Sequence, residues 1–193
     1  MKKIGLLGGS FDPPHKGHLF ISIESKKILK LDEIWWLITP QNPLKISKPA
    51  TYFERVNNCK KITMNFPINV KEIEKDINSD YSYKTISYIL NHYKNIKFFW
   101  LMGADNLINF HKWEKWQKIL NDMSIVIFKR HGYNTKALKS IASQKFKNNR
   151  VVKSQISSND FNRTPSWFFI QNKEIKISST EIRNERERLR GKN

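Results

Sequence analysis

The first eighteen residues constrain the fold of this chain more than any other segment. A short apolar run at residues 3–7 leads into Gly8 and Gly9, and a turn containing two prolines follows. Two histidines, His15 and His18, then stand three residues apart where a helix is predicted to begin. This order predicts a strand, a loop and a helix, with polar groups collected at the loop.

The loop has the chemistry of a phosphate site. Gly8 and Gly9 carry no Cβ, so an anion can approach the backbone closely. The N–H groups at a helix start offer donors at the positive end of the helix dipole. His15 and His18 can donate hydrogen bonds to phosphoryl oxygens and carry charge near neutral pH. Each residue alone fits an ordinary strand–turn–helix with surface histidines, but the whole ordered string favours the phosphate site.

Apolar runs alternate with helical patterns along the rest of the chain. The predicted strands cover residues 3–7, 33–39, 68–73, 96–101, 124–128, 151–152 and 167–170. The predicted helices cover residues 17–31, 51–65, 83–93, 113–120 and 134–144, and a last one begins at 178. This alternation predicts an α/β fold with a doubly wound parallel sheet, which binds ligands at the carboxyl ends of its strands. No repeat or linker interrupts the pattern, so a single domain is expected over residues 1–193.

Composition indicates the class of protein and the compartment in which it is expected to act. A length of 193 residues with 39% hydrophobic residues suits a folded domain with a substantial core. The apolar runs are too short to cross a bilayer, so no membrane association is expected. The single cysteine, Cys59, excludes an intramolecular disulfide and fits a cytoplasmic protein.

The formal net charge of +18 is large enough to attract nucleic acid or any other polyanion. However, the lysines are spread along the chain, and Lys, Asn and Ile are abundant together, which favours a codon bias over a dedicated nucleic-acid surface. A basic nucleic-acid-binding protein remains the alternative from a different class, and it predicts a clustered patch with interleaved aromatic residues.

A second candidate anion site lies near the C-terminus. Ser178 and Glu181 have the spacing of a capping box, which predicts that a helix begins at Ser178. An ordinary capped helix explains this pattern alone. The three hydroxyls of residues 178–180, the positive helix end and Arg183 one turn later would also form an anion cradle.

Together these motifs resemble the nucleotidyltransferase superfamily with the His-x-Gly-His signature. The string Gly8 to His15 is most similar to that of bacterial nicotinate-nucleotide adenylyltransferases, with Ser10 where the family usually has Thr. The string Ile177 to Arg183 resembles the family motif that grips the β- and γ-phosphates. The resemblance implies a Rossmann-like nucleotidyltransferase fold.

The resemblance also implies which residues bind ATP and act in catalysis. Pro43-Leu44-Lys45 is similar to a loop whose lysine reaches the triphosphate, although Leu44 replaces the usual histidine. The implied catalytic residues are His15, His18, Lys45 and Arg183. The implied ATP-binding residues are Gly8, Gly9, Ser10, Phe11, Gly103, Asp105, Ser178, Ser179 and Thr180.

A third set of residues resembles the site for the second substrate. Trp113, eight residues after Asp105, is similar to the tryptophan that stacks on the pyridine ring in the family. Residues 82–85 resemble a run whose backbone binds the nicotinate carboxylate, and Arg130-His131-Gly132 resembles an Arg-Pro-Gly turn. The implied nicotinate mononucleotide-binding residues are Ser82, Thr85, Trp113 and Glu114.

The implied reaction is adenylyl transfer from ATP to nicotinate mononucleotide. Mg²⁺ is expected to arrive with ATP, held by substrate oxygens and water, so no protein metal site is expected. No dedicated nucleic-acid partner is expected. The oligomeric state is left open, with a homo-oligomer among the alternatives. The nearest alternative is an enzyme of the same superfamily that uses nicotinamide mononucleotide or another small molecule.

Overall fold

The fold is a seven-stranded parallel sheet with helices on both faces. A computed structural model describes residues 1–41, 43–44, 49–151, 164–171 and 179–190. The strands are β1 (Lys2–Gly9), β2 (Glu33–Ile38), β3 (Ile68–Lys71), β4 (Ile96–Gly103), β5 (Ser124–Phe128), β6 (Arg150–Val151) and β7 (Trp167–Ile170). Their order in the sheet is β3-β2-β1-β4-β5-β7-β6, and every neighbouring pair is parallel. The predicted α/β class with a doubly wound parallel sheet is confirmed.

In the described part of the chain, at least one helix lies between each pair of successive strands from β1 to β6. They are α1 (Lys16–Leu29), α2 (Tyr52–Thr63), α3 (Ile73–Asp76), α4 (Ser82–His92), α5 (Ala104–Asn109), α6 (Trp116–Asp122), α7 (Asn134–Leu138), α8 (Ile141–Lys145) and α9 (Ser179–Arg190). None of the helices in these ranges combines the length and the apolar character needed to span a membrane.

Two apolar layers cover the sheet because successive strand side chains point to opposite faces. In β4, Phe98, Trp100 and Met102 pack with α4, α5 and α6 on one face. Phe99 and Leu101 pack on the other face, where α1 and α2 lie. Both faces are therefore buried, as parallel sheets require, and the strands are continuous apolar runs.

The strand order reverses direction between β1 and β4. The chain steps outward from β1 through β2 to β3, and it returns to the other side of β1 with β4. Ligands in such sheets bind in the crevice at the carboxyl ends of the two strands where the order reverses. Gly8 and Gly9 end β1, and Gly103 ends β4. The glycine motifs of the sequence therefore lie beside this crevice.

Three predicted elements differ from the observed ones in more than a shift of their ends by one or two residues. The strand predicted over 68–73 ends at Lys71, and Ile73 begins the short helix α3. The helix predicted over 134–144 divides into α7 and α8, because Ser140 caps α8 by accepting a hydrogen bond from the N–H of Ser143. Trp113 precedes α6, which begins only at Trp116 after a left-handed Lys115 with φ of 50°.

Candidate active site

A cavity of about 440 Å³ opens at the carboxyl ends of β1 and β4. Most of the site residues that the sequence predicts line it. These are Gly8, Gly9, Ser10, Phe11, His15, His18, Ser82, Gly103, Asp105, Trp113, Glu114, Ser179 and Thr180. Two predicted site residues, Lys45 and Ser178, lie outside the described residues. The fold thus brings together residues from four separate segments of the sequence.

The two histidines are fixed by the start of α1. His15 caps the helix, and its Nδ1 accepts a hydrogen bond of 3.1 Å from the N–H of Gly17. The backbone N–H of His15 in turn donates to Nδ1 of His18 at 3.2 Å. Because Nδ1 accepts in both rings, the proton of each neutral imidazole is on Nε2. The rings stack with centroids 3.8 Å apart, so both are held in one orientation on the cavity wall.

The charge state of His15 differs from the sequence expectation. The pKa of His15 is lowered to about 4, chiefly by burial and then by the positive charge of Arg130, while Glu181 and Asp105 oppose the shift. His15 is therefore neutral at pH 7, and the prediction that both histidines carry charge is wrong for this ring. A neutral His15 whose Nδ1 accepts from Gly17 carries its N–H at Nε2.

Aromatic side chains pack against the glycine and histidine loop of the first motif. Phe11 adopts a left-handed backbone with φ of 47° and is buried. Its ring stacks on Trp36 at 4.6 Å and contacts the ring of His18 at 4.8 Å. A Cβ on Gly8 would lie 2.7 Å from the buried Trp100, so glycine is required there by the packing of that indole.

A carboxylate and a guanidinium face each other across the crevice. Asp105, in the first turn of α5, forms a 2.7 Å ion pair through Oδ2 with Arg130, which follows β5. Its other oxygen, Oδ1, is buried and accepts no hydrogen bond within the described ranges. Gly103 is needed beside it, because a Cβ there would lie 2.4 Å from this oxygen. Asp105 therefore lines the cavity with one carboxylate oxygen paired to Arg130 and one buried oxygen that no described residue satisfies.

Arg130 lines the cavity but was not among the predicted site residues. Asp80, Tyr81, Lys112 and Lys129 line it as well and were also missed. The turn after β5 was the available signal for Arg130, because residues at the carboxyl ends of parallel strands face the crevice.

The C-terminal helix α9 contacts the first motif directly. Ser179 Oγ donates to the carbonyl oxygen of Pro13 at 3.0 Å. Arg183 donates to the carbonyl oxygen of Asp12, lies 3.9 Å from the carboxylate of the same residue, and contacts Thr180 Oγ1 at 3.2 Å. Ser179 and Thr180 line the cavity, whereas the guanidinium of Arg183 holds the loop before the histidines.

The residues predicted to hold the second substrate divide into two groups. Ser82, Trp113 and Glu114 line the cavity. Trp113 also packs edge-on against Trp100 and Phe110, so it belongs both to the core and to the wall. Thr85 does not line the cavity: it is fully buried and its hydroxyl donates to Glu74 at 3.2 Å.

Glu74 lies buried behind this wall. It is 1% exposed, and its Oε2 has no hydrogen-bond partner in the part of the chain that the structure describes. Burial raises the pKa of Glu74 to about 7, and Asp80 adds to the shift, while hydrogen bonds from Thr39 and Thr85 oppose it. A carboxyl in this state titrates near neutral pH.

Within the described ranges, no group of three His, Cys, Asp or Glu side chains is arranged to hold a metal ion. The carboxylate of Asp105 is already paired with Arg130.

Comparison with known proteins gives one consistent result. The family described as cytidylyltransferase-like matches residues 6–185. A curated relative from Ruegeria sp. is 38% identical over 93% of this chain and 95% of its own length, and one from Pelagibacter ubique is 43% identical over 94% and 92%. Both are named probable nicotinate-nucleotide adenylyltransferase.

Among solved structures, the fold is similar to that of the nicotinic acid mononucleotide adenylyltransferase of Plasmodium falciparum in complex with NaAD. The TM-score is 0.69 at 20% sequence identity, and the match covers 95% of this chain and 83% of that one. This likeness supports the assignment of the fold.

Proposed function

This chain belongs to the cytidylyltransferase-like family and, within it, to the nicotinate-nucleotide adenylyltransferases, and we propose from this premise how its residues carry out the reaction. It transfers the adenylyl group of ATP to nicotinate mononucleotide in NAD biosynthesis. The observation that carries this function is one cavity lined by the histidine pair, the start of α9 and Trp113.

The reaction needs positioning more than proton transfer. A phosphate oxygen of nicotinate mononucleotide attacks the α-phosphorus of ATP, a new P–O bond forms, and the bond to the β-phosphate oxygen breaks to release pyrophosphate. The attacking phosphate is already ionised, so no general base is required. His15 and His18 donate from Nε2–H to the phosphoryl oxygens on which charge develops, and this role requires no net charge on His15.

The distal phosphates lie at the start of α9. The hydroxyls of Ser179 and Thr180 line the cavity there, and the N–H groups of the helix start add donors. Lys45, Ser178 and Arg183 complete the proposed triphosphate site, with Arg183 also fixing the loop at Asp12. Mg²⁺ enters with ATP as part of the substrate, held by phosphate oxygens and water.

The pyridine ring of the second substrate lies against Trp113 in this proposal. Its carboxylate is held at the start of α4, where Ser82 lines the cavity, and by the backbone next to Glu114. The N–H of Thr85 already donates to the carbonyl oxygen of Tyr81, so Thr85 supports the helix rather than the ligand. The adenosine lies by Gly8 to Phe11 on one side and by Gly103 and Asp105 on the other.

The proposal also covers the setting of the enzyme. We expect one nucleotidyltransferase domain over residues 1–193, acting in the cytoplasm. The large positive charge helps to gather ATP and other anions without a dedicated nucleic-acid partner.

A coupled assay tests this function. Purified protein is incubated with MgATP and either nicotinate or nicotinamide mononucleotide, while pyrophosphate release is followed and the dinucleotide is identified by chromatography. Rapid pyrophosphate release with the acid supports the proposal. Release with neither mononucleotide, together with strongly salt-dependent binding to DNA, would favour the nucleic-acid-binding alternative.

A further inference from the structure

Arg55 is a buried cation outside the cavity lining. It lies in α2 and is 2% exposed. Its Nε donates to the carbonyl oxygen of Ala50 at 3.0 Å, and its Nη2 donates to that of Pro40 at 2.7 Å. Its Nη1 donates twice, to the carbonyl oxygens of Ser10 at 2.7 Å and Thr39 at 2.8 Å. Four of the five guanidinium N–H groups are thus used on main-chain oxygens.

The four carbonyl groups belong to the segments that frame the cavity. Ser10 continues β1 and lies in the first motif, whereas Thr39 and Pro40 follow β2. Ala50 comes just before α2, so Arg55 joins both ends of the loop between β2 and α2. The N–H of Thr39 also donates to the carbonyl oxygen of Gly9 at 3.0 Å, which extends the β1–β2 pairing by one hydrogen bond. Arg55 then links the next carbonyl groups, those of Ser10 and Thr39.

The planar fork of arginine is required for this arrangement. Its donors diverge in one plane and reach carbonyl groups of three segments at once. A lysine ammonium offers three donors from a single point, so it satisfies at most three of the four oxygens and holds none of them in a fixed plane. The charge is balanced by the carbonyl dipoles and by the nearby Asp12, whose field opposes the lowering of the Arg55 pKa that burial causes.

We propose that Arg55 is a positioning residue for adenylyl transfer, whose guanidinium fixes the Ser10 backbone against the loop after β2 and so sets the place of the first motif. The proposal rests on the proposed function. Arg55 does not line the cavity, so it acts through Ser10 and Thr39, which do. A displacement of about 1 Å in such a site costs on the order of 10²-fold in rate.

Three variants separate positioning from simple stability. Arg55→Met removes the donors, Arg55→Lys keeps the charge without the fork, and Val56→Ala is the matched control. Val56 is the next residue of α2, is 3% exposed and belongs to the apolar core. Turnover and Michaelis constants are measured at a temperature at which circular dichroism shows each variant folded. We expect both Arg55 variants to lose at least about tenfold in kcat, and Val56→Ala to stay within about twofold of the wild type.

A second measurement does not depend on activity. Hydrogen exchange of peptides covering residues 8–12 and 39–41 is expected to be faster in both Arg55 variants than in Val56→Ala at matched thermal stability. If Arg55→Met does not fold, Arg55→Lys decides both measurements.

Two results overturn the proposal. One is a wild-type kcat in the Arg55 variants, and the other is a loss of kcat and an increase in hydrogen exchange in Val56→Ala that equal those of the Arg55 variants. An inactive wild type refutes the proposed function instead, and the exchange measurement then still shows whether Arg55 orders the two loops.

Discussion

Replacing Glu74 by glutamine tests whether the wall behind the cavity carries a carboxyl that resists ionisation. Glu74 is 1% exposed and accepts a 3.2 Å hydrogen bond from Thr85 through Oε1, while burial leaves its Oε2 without a partner among the described residues. Glutamine has nearly the same shape and keeps an acceptor for the hydroxyl of Thr85. The substitution therefore removes the titration with little change in packing.

The magnitude follows from the pKa of Glu74. Burial raises this pKa from 4.5 to about 7. The folded state therefore binds the proton more tightly than the unfolded state. The resulting stability is fully present below the unfolded pKa and is lost as the pH rises through about 7. Each unit of pKa shift corresponds to about 1.4 kcal/mol, so the free energy of unfolding decreases by about 3 kcal/mol over the whole titration. About 2 kcal/mol of this decrease occurs between pH 5.5 and 8.5.

The assay is urea unfolding of the wild type and of Glu74→Gln at several pH values in this range. The difference in unfolding free energy, wild type minus variant, should fall by about 2 kcal/mol as the pH rises from 5.5 to 8.5. Glu72→Gln controls for the loss of one negative charge, since Glu72 is partly exposed and pairs with Lys60. A difference for Glu74→Gln that stays constant across the range would refute the reasoning.

Four further predictions concern the site. His18→Ala should fold normally and lose about 10²–10³ in turnover, because one preorganised donor to the developing charge is removed; near wild-type turnover in the pyrophosphate assay contradicts this role. Arg183→Ala should raise the Michaelis constant for ATP more than that for the mononucleotide, since the loop at Asp12 and the start of α9 lose their link; steady-state kinetics that change equally for both substrates argue against it. Trp113→Ala should weaken binding of the mononucleotide by about 1–3 kcal/mol, measured by calorimetry, with ATP binding little changed; a loss of melting temperature alone assigns Trp113 to the core. The acid mononucleotide should be preferred over the amide by about 10²-fold or more in kcat/KM, because a carboxylate accepts from donors on both oxygens near Ser82 and a carboxamide does not; equal efficiencies contradict this preference.

Local patterns in the sequence predicted much of the fold. β5 and β7 have the predicted boundaries, β1 and β4 extend the predicted runs by two or three residues, and β2 ends one residue earlier than predicted. The agreement arises because buried parallel strands are continuous apolar segments. The sequence pattern predicted the helix boundaries less well where tertiary packing or a single capping side chain sets the boundary. Trp113 has helical spacing with Trp116, but the left-handed Lys115 separates it from α6, and only the cap at Ser140 divides α7 from α8.

The candidate site was predictable where residues cluster in sequence. The glycine and histidine string and the Ser179–Thr180 pair both line the cavity. Arg55 and Glu74 were missed because their environment depends on contacts that link distant segments, such as the 45-residue separation between Arg55 and Ser10. No local pattern distinguishes a buried arginine in a helix from a solvated one.

The contact between α9 and the first motif has a consequence for biosynthesis. Ser179 reaches Pro13 across 166 residues, and Arg183 reaches Asp12 across 171. Chains emerge from the ribosome at about 5–20 residues per second. Ser179 and Arg183 are therefore synthesised on the order of ten seconds or longer after the loop that they contact. Closing a loop of this length costs more conformational entropy than forming a contact between residues close in sequence. The nascent chain therefore cannot complete its proposed triphosphate site until Arg183 has emerged, and chains truncated before α9 are expected to be inactive.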